Sequence, residues 1–154
     1  MATGVFNINY ALAPAAVPAL LKSRSICLSG DLGHAFHPNF ADKYDPQHNC
    51  LMGHGVALKF NACQKYSTSS LTASIIVDLA EKKKMRLQKF VSRSDIPSGS
   101  TVGSIMAANL GIATVDLGIT GWAMHSAREV IAAKDELALM ELFLAAVEEL
   151  PRKA

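Results

Sequence analysis

The sequence predicts an α/β fold, a layered sheet flanked by helices, and three observations predict it. Residues 25–28 and 112–117 are short apolar runs with β-branched members, and each stops at a glycine, Gly30 and Gly118. Between them lie segments whose apolar residues recur at three- and four-residue spacing, the period of a half-buried helix. Helical and extended signals then alternate along the chain, which is the pattern of a sheet layered with helices. With 154 residues, half of them apolar, the chain can bury the core of one ordinary domain. It carries no internal repeat, low-complexity tract or interdomain linker.

Taken in order, residues 11–22 read as a short helix interrupted by Pro14 and Pro18, or as a docking segment. The strand over 25–28 delivers Asp31 at its carboxyl end, where open α/β sheets place their sites. A long polar loop follows, through Asn49. Residues 55–61 alternate as a strand does, with Val56, Leu58 and Phe60 on one face and Ala57, Lys59 and Asn61 on the other. Ser69 or Ser70 is placed to cap a helix running through Lys84, with Leu71, Ile75 and Leu79 at four-residue spacing beside Ile76 and Ala80. Residues 86–92 return as a strand. The Pro97-Ser98-Gly99 turn feeds a small-residue helix to Leu110, and Gly111 stands where a C-terminal glycine cap belongs. After the strand over 112–117, a last helix at about 135–150 is expected to bury Leu137, Met140, Leu144 and Val147.

The residues that carry chemistry concentrate in two places. Residues 29–40, Ser-Gly-Asp-Leu-Gly-His-Ala-Phe-His-Pro-Asn-Phe, set the Asp31 carboxylate and the imidazoles of His34 and His37 directly after a strand. Carboxylate with neutral imidazole is a ligand set that zinc, cobalt and manganese accept. The alternative is a polar loop whose groups bond one another and cap the next turn. A second cluster, Met124-His125-Ser126-Ala127-Arg128-Glu129, follows the strand over 112–117. If the two strands are neighbours, Asp31 and His125 emerge on one sheet edge and can share an ion. Otherwise His125 caps the following helix while Arg128 and Glu129 pair locally. Lys59, read alone, is a solvated strand lysine.

Composition excludes several classes. A net charge of +2, scattered along the chain, argues against nucleic acid. The one basic run, Lys82-Lys83-Lys84, suits the solvated end of a helix, where the dipole favours it. Cys27, Cys50 and Cys63 are odd in number and form no C-x-x-C pair, which fits reduced thiols and a cytoplasmic location. Residues 11–21 carry two prolines and no preceding basic residue, unlike a signal peptide. No stretch reaches the roughly 20 apolar residues that span a bilayer, so no membrane partner is expected.

Five motifs nevertheless occur in order: the 29–40 stretch, Lys59-Phe60-Asn61, Gln64-Lys65-Tyr66-Ser67-Thr68, residues 93–103 from Arg93 to Gly103, and residues 123–129 from Ala123 to Glu129. Together they resemble the carboxyl-terminal part of the aspartyl aminopeptidase family, two-metal zinc exopeptidases that remove amino-terminal Asp or Glu from peptides. The resemblance implies a zinc-exopeptidase-like sheet that is incomplete relative to the family fold. It covers residues 25–154, the carboxyl-terminal part of the catalytic domain, and leaves residues 1–24 as an amino-terminal segment to which it assigns no origin. It assigns Asp31 and His125 as metal ligands, and it places His34, Lys59 and Tyr66 at the substrate, with Lys59 meeting the acidic side chain. The metal is zinc, with cobalt or manganese as substitutes. An ammonium facing a carboxylate in a partly dry pocket gives a charge selectivity that an apolar pocket does not.

The departures are equally specific. Gly33, Phe40, Tyr44 and Ser94 stand where the family has other residues, and each is a tolerable exchange. The family's histidine ligand, bridging aspartate and Glu-Glu pair have no counterpart here, for residues 1–24 contain no Asp, Glu or His. Glu148-Glu149 fall on the last helix and read as its solvated end. The general-base glutamate is therefore absent, no catalytic residue is assigned, and the chain alone is expected to be inactive on peptides. Its expected partners are peptides with an acidic amino terminus and either further copies of itself or a complementary upstream chain. The competing class is a non-catalytic module that binds acidic peptide termini or a full-length partner. A third reading, a lone ion on Asp31, His37 and His125, differs from the family reading in making His37 a ligand.

Overall fold

The computed structural model describes residues 4–5 and 17–150. Its elements are β1 (Gly4–Val5), α1 (Val17–Ser23), β2 (Ile26–Gly30), β3 (Gly33–His34), a 3-10 helix (Pro38–Lys43), β4 (Val56–Phe60), α2 (Ser70–Lys82), β5 (Leu87–Val91), α3 (Val102–Leu110), β6 (Ala113–Gly118), β7 (Thr120–Trp122), β8 (Val130–Ile131) and α4 (Ala133–Glu149). The main sheet runs β1-β2-β6-β4-β5, and a small second sheet runs β3-β7-β8. Pairings β2–β6 and β4–β5 are parallel, whereas β4–β6 and β1–β2 are antiparallel. The expected layered α/β architecture is thus present, with β2 and β6 as direct neighbours. No helix among the described residues is long and apolar enough to cross a membrane.

Strand parity divides the main sheet into two unlike faces. Leu28, Val56, Leu58, Val115 and Leu117 point to one side, where Ile76, Leu79 and Ala80 of α2 and Leu142, Ala145 and Ala146 of α4 complete the core. The opposite parity carries Ser29, Lys59, Thr114 and Asp116, all buried and polar. Residues that alternate with core residues are usually solvated in a one-sided sheet, but here α3 and two loops cover them.

Local chemistry sets the helix ends. Ser69 caps α2, its hydroxyl accepting from the Thr72 amide while the Thr72 hydroxyl accepts from the Ser69 amide. Gly111 closes α3 at φ +64°, a left-handed conformation that glycine adopts without strain. Residues 11–22 are met in part by α1, while residues 6–16 lie outside the described set. The loop after Asp31 is less irregular than its composition suggests, for it holds β3 and the 3-10 helix.

One expectation is overturned. In α4, Leu137, Met140 and Leu144 are 57–60 % exposed, and the inward face carries Asp135, Leu142, Ala145 and Ala146 instead. The helix has two apolar stripes, and Asp135 selects between them. Its fully buried carboxylate accepts from the Gly53 and Gly55 amides, so the stripe in line with it turns inward. In α2 the same happens to Leu71, which is 68 % exposed while Thr72, Ala73 and Ile76 are buried.

Candidate functional site

Asp31 leaves β2 where that strand lies beside β6, and its amide donates to the Leu117 carbonyl at 3.0 Å. The crossing is close: a Cβ on Gly118 would overlap the Asp31 carbonyl, so only glycine fits there. The carboxylate projects into a cleft of about 930 Å³ and is 38 % exposed. His34 reaches the same cleft from β3, which is held parallel to β7 through pairing of His34 with Gly121.

His125 arrives from the turn after β7. Ala123 and His125 both have positive φ, +55° and +68°, which for side-chain-bearing residues is a strained arrangement of the kind that gathers at functional sites. The turn is held by Glu129, whose carboxylate accepts from the His125 amide, and by the Ser126 amide donating to Ala123. His125 therefore does not cap a helix. Strand β8 intervenes, and α4 begins after Ala132.

Lys59 differs from a solvated lysine in every respect. It is 1 % exposed, and its Nζ donates to the Leu32 carbonyl at 3.0 Å, stands 3.6 Å from Asp31 Oδ2, and lies 5.6 Å from the centre of the Tyr66 ring. Burial pushes its ammonium below the usual lysine range, while the charges of Asp31 and Asp116 push it back up. Lys59 does not itself line the cleft; it sits under the floor formed by Asp31, Leu32 and Gly33. Tyr66 is buried against Phe90, ring centres 6.1 Å apart, and desolvation raises its phenol. His34 is pushed down by desolvation first, then by the neighbouring His125 and Lys59 charges.

Asp31, His34, Tyr66 and His125 are thus brought to one cleft with Lys59 beneath it, although they are separated by up to 94 positions in the chain. His37 is not among the residues that line it. Its Nδ1 accepts from the Asn39 amide at the start of the 3-10 helix, and its ring packs on Phe40 and Trp122 at 5.4 Å from each. The aspartate–histidine–histidine ion site is therefore not assembled. Among the described residues, no group of three or more His, Cys, Asp and Glu is placed to hold a metal ion. The remaining residues contain none of these four types.

The residues that sequence reasoning missed are those whose role depends on what covers them. Asp116 and Thr101 sit on strand β6 and before α3 with no motif-like spacing, yet Thr101 Oγ1 donates to Asp116 Oδ1 at 2.6 Å in the buried layer under the cleft. Glu129 was legible only as a local charge. The signal that bears on Asp116 is parity, because a carboxylate inside a strand of otherwise buried residues needs donors.

A family model described as aminopeptidase I zinc metalloprotease (M18) matches residues 9–146. The chain is 40 % identical over 147 residues to a probable aspartyl aminopeptidase of Ricinus communis, a match covering 96 % of this chain and 29 % of that protein. A cryo-EM structure of the Ape4 and Nbr1 complex matches with a TM-score of 0.84 at 33 % identity, over 86 % of this chain and 25 % of that one. The structure of the S. cerevisiae mApe1 dodecamer matches with a TM-score of 0.77 at 26 % identity, over 86 % of this chain and 29 % of that one. The chain therefore spans under a third of the length of these relatives.

Proposed function

The chain belongs to the aminopeptidase I zinc metalloprotease (M18) family, and we propose on that premise that residues 25–154 form the carboxyl-terminal part of an aspartyl aminopeptidase-like catalytic domain. In this reading the whole unit removes amino-terminal Asp or Glu from peptides, and this chain supplies part of the site. The observation that carries it is the convergence of Asp31, His34, Tyr66 and His125 on one cleft above a buried lysine.

Asp31 and His125 have the donor chemistry that zinc prefers, and they are the metal ligands of the proposal, with cobalt or manganese as substitutes. Two ligands are fewer than the three or four protein donors of a zinc site, and no third is within reach among the described residues. A complete metal centre does not fit this chain alone, and the general-base glutamate has no candidate in the cleft beyond Glu129, whose carboxylate is engaged by the His125 amide. Turnover accordingly needs groups from outside the chain.

In the proposal Lys59 contributes to the charge balance of the cleft. Lys59 is a cation in a nearly dry site, shared between the Leu32 carbonyl and Asp31, with its field directed through a thin floor into the cleft. In this proposal the Lys59 charge offsets that of Asp31, so a substrate carboxylate meets less repulsion in the cleft than Asp31 alone would give. Tyr66 and His34 border the same space and offer a phenol and an imidazole to the bound ligand. Three cysteines without disulfide partners fit the proposed cytoplasmic setting. The dodecameric relative supports assembly with further copies or with a complementary chain.

The test is release of aspartate from an Asp-terminated peptide, with zinc, cobalt or manganese added, by this chain and by its His125→Ala variant. No release from either is expected. Release by the chain that the variant loses would mean that the ligands and base are complete after all, and would sink the partial-site reading.

A further inference from the structure

Asp116 is fully buried in β6, and beyond the effect of its charge on Lys59 none of the roles above uses it. A buried carboxylate persists only where donors satisfy it. Here they come from two different loops. Oδ2 accepts from the Ser67 amide, and Oδ1 accepts from the Thr101 hydroxyl at 2.6 Å. The backbone of Asp116 holds the first loop a second time, for its amide donates to Thr68 Oγ1 at 3.0 Å and its carbonyl accepts from that hydroxyl at 3.2 Å.

Two further features are explained by this carboxylate. Thr101 is the N-cap of α3, with the extended backbone that position requires, yet its side chain makes no capping bond. The hydroxyl that would cap the helix is directed to Asp116 instead. Gly103, in the first turn of α3, lets the helix approach, because a Cβ there would overlap Asp116 Oδ1 and crowd Ser29. The Thr101 amide also donates to the Lys65 carbonyl at 3.4 Å, so the two loops are tied to each other as well as to the strand. One of these loops carries Tyr66, and the other, residues 97–101, lines the cleft.

We infer that Asp116 is a positioning residue: through Ser67 and Thr101 it fixes Tyr66 and the 97–101 loop as the preformed wall of the cleft. A wall held before anything binds avoids the ordering cost that a loose loop would impose on the ligand. The consequence for acidic ligands rests on the substrate reading of Tyr66 given above; the geometry of the wall does not.

The experiment follows the tyrosine ring resonances by NMR in the full chain labelled with 13C-tyrosine, comparing Asp116→Asn, Thr101→Val and Thr101→Ser. Tyr44, whose hydroxyl bonds the Ala35 carbonyl on another part of the cleft, is the internal reference. Asp116→Asn and Thr101→Val should move or broaden the Tyr66 signals while Tyr44 stays in place, and Thr101→Ser, which keeps the hydroxyl, should leave both where they are. Titration with free aspartate should give an affinity about tenfold weaker in Asp116→Asn. Tyr66 signals that stay at their wild-type positions in Thr101→Val would overturn the inference, as would an Asp116→Asn variant that loses stability with the ring unmoved. If Asp116→Asn does not fold, the contrast between Thr101→Val and Thr101→Ser decides. A wild-type chain that takes up no aspartate would count against the substrate reading, and the ring signals would still decide the role of Asp116.

Discussion

Lys59 lies enclosed beneath the cleft, while the carboxylate it faces is 38 % exposed to water. Both partners should therefore lose stability on substitution. Lys59→Met leaves the Leu32 carbonyl without its donor and the Asp31 and Asp116 carboxylates without their nearby cation, and should cost about 1–3 kcal/mol. Asp31→Asn leaves the ammonium buried with less compensation, and should cost about 1–2 kcal/mol, less than a fully enclosed pair because water screens Asp31. Urea unfolding of both variants measures this, and a Lys59→Met variant as stable as the wild type would mean that the buried pair contributes nothing to the fold. At this scale the sequence places Asp31 directly after β2, and His125 reaches the same cleft only through β7 of the second sheet, which has no readable period. The sequence does not reveal the burial of Lys59. Alternation says which side of a strand a residue takes, and the cover over that side comes from segments more than thirty positions away, such as Phe90 on β5.

Helix α4 illustrates the same limit for a whole element. Its existence and span follow from periodicity, but two apolar stripes satisfy that period, and the choice between them is made by Asp135 bonding the Gly53–Gly55 turn, a contact across 80 or more positions. Leu142→Ala should therefore cost about 2–5 kcal/mol, as deletion from a closed core does. Leu144→Ala, on the stripe that periodicity alone favours equally, should change stability by no more than about 0.5 kcal/mol. Thermal or urea unfolding of the pair checks the assignment, and equal losses would mean that the exposed stripe is covered in solution. Elements whose ends are fixed by local chemistry were more legible. Ser69 and Gly111 mark their helix ends because a side-chain oxygen and a left-handed glycine act within one turn. The short strands β3, β7 and β8 were not legible, since two or three residues carry no usable period and owe their pairing to the turns between them.

For the molecule as a whole, the sheet presents a finished wall but not a finished metal centre. Asp31 and His125 line one cleft, the described residues offer no third donor to join them, and the positive charge nearest to Asp31 is a lysine that a bound cation would have to oppose. Zinc affinity of this chain should thus fall well short of a site with three or four protein ligands. It should also rise when the opposing charge is removed, since a unit charge a few ångströms from a ligand oxygen weakens a cation's binding by more than about tenfold even at an effective dielectric near 20. Competition against a chromogenic chelator measures both effects, with wild type, Lys59→Met and His125→Ala compared at one pH. The expected order is Lys59→Met tightest, then wild type, then His125→Ala. Stoichiometric zinc that survives dialysis in the wild type would mean that a further ligand is recruited within the chain, and an affinity indifferent to His125→Ala would remove that residue from the site.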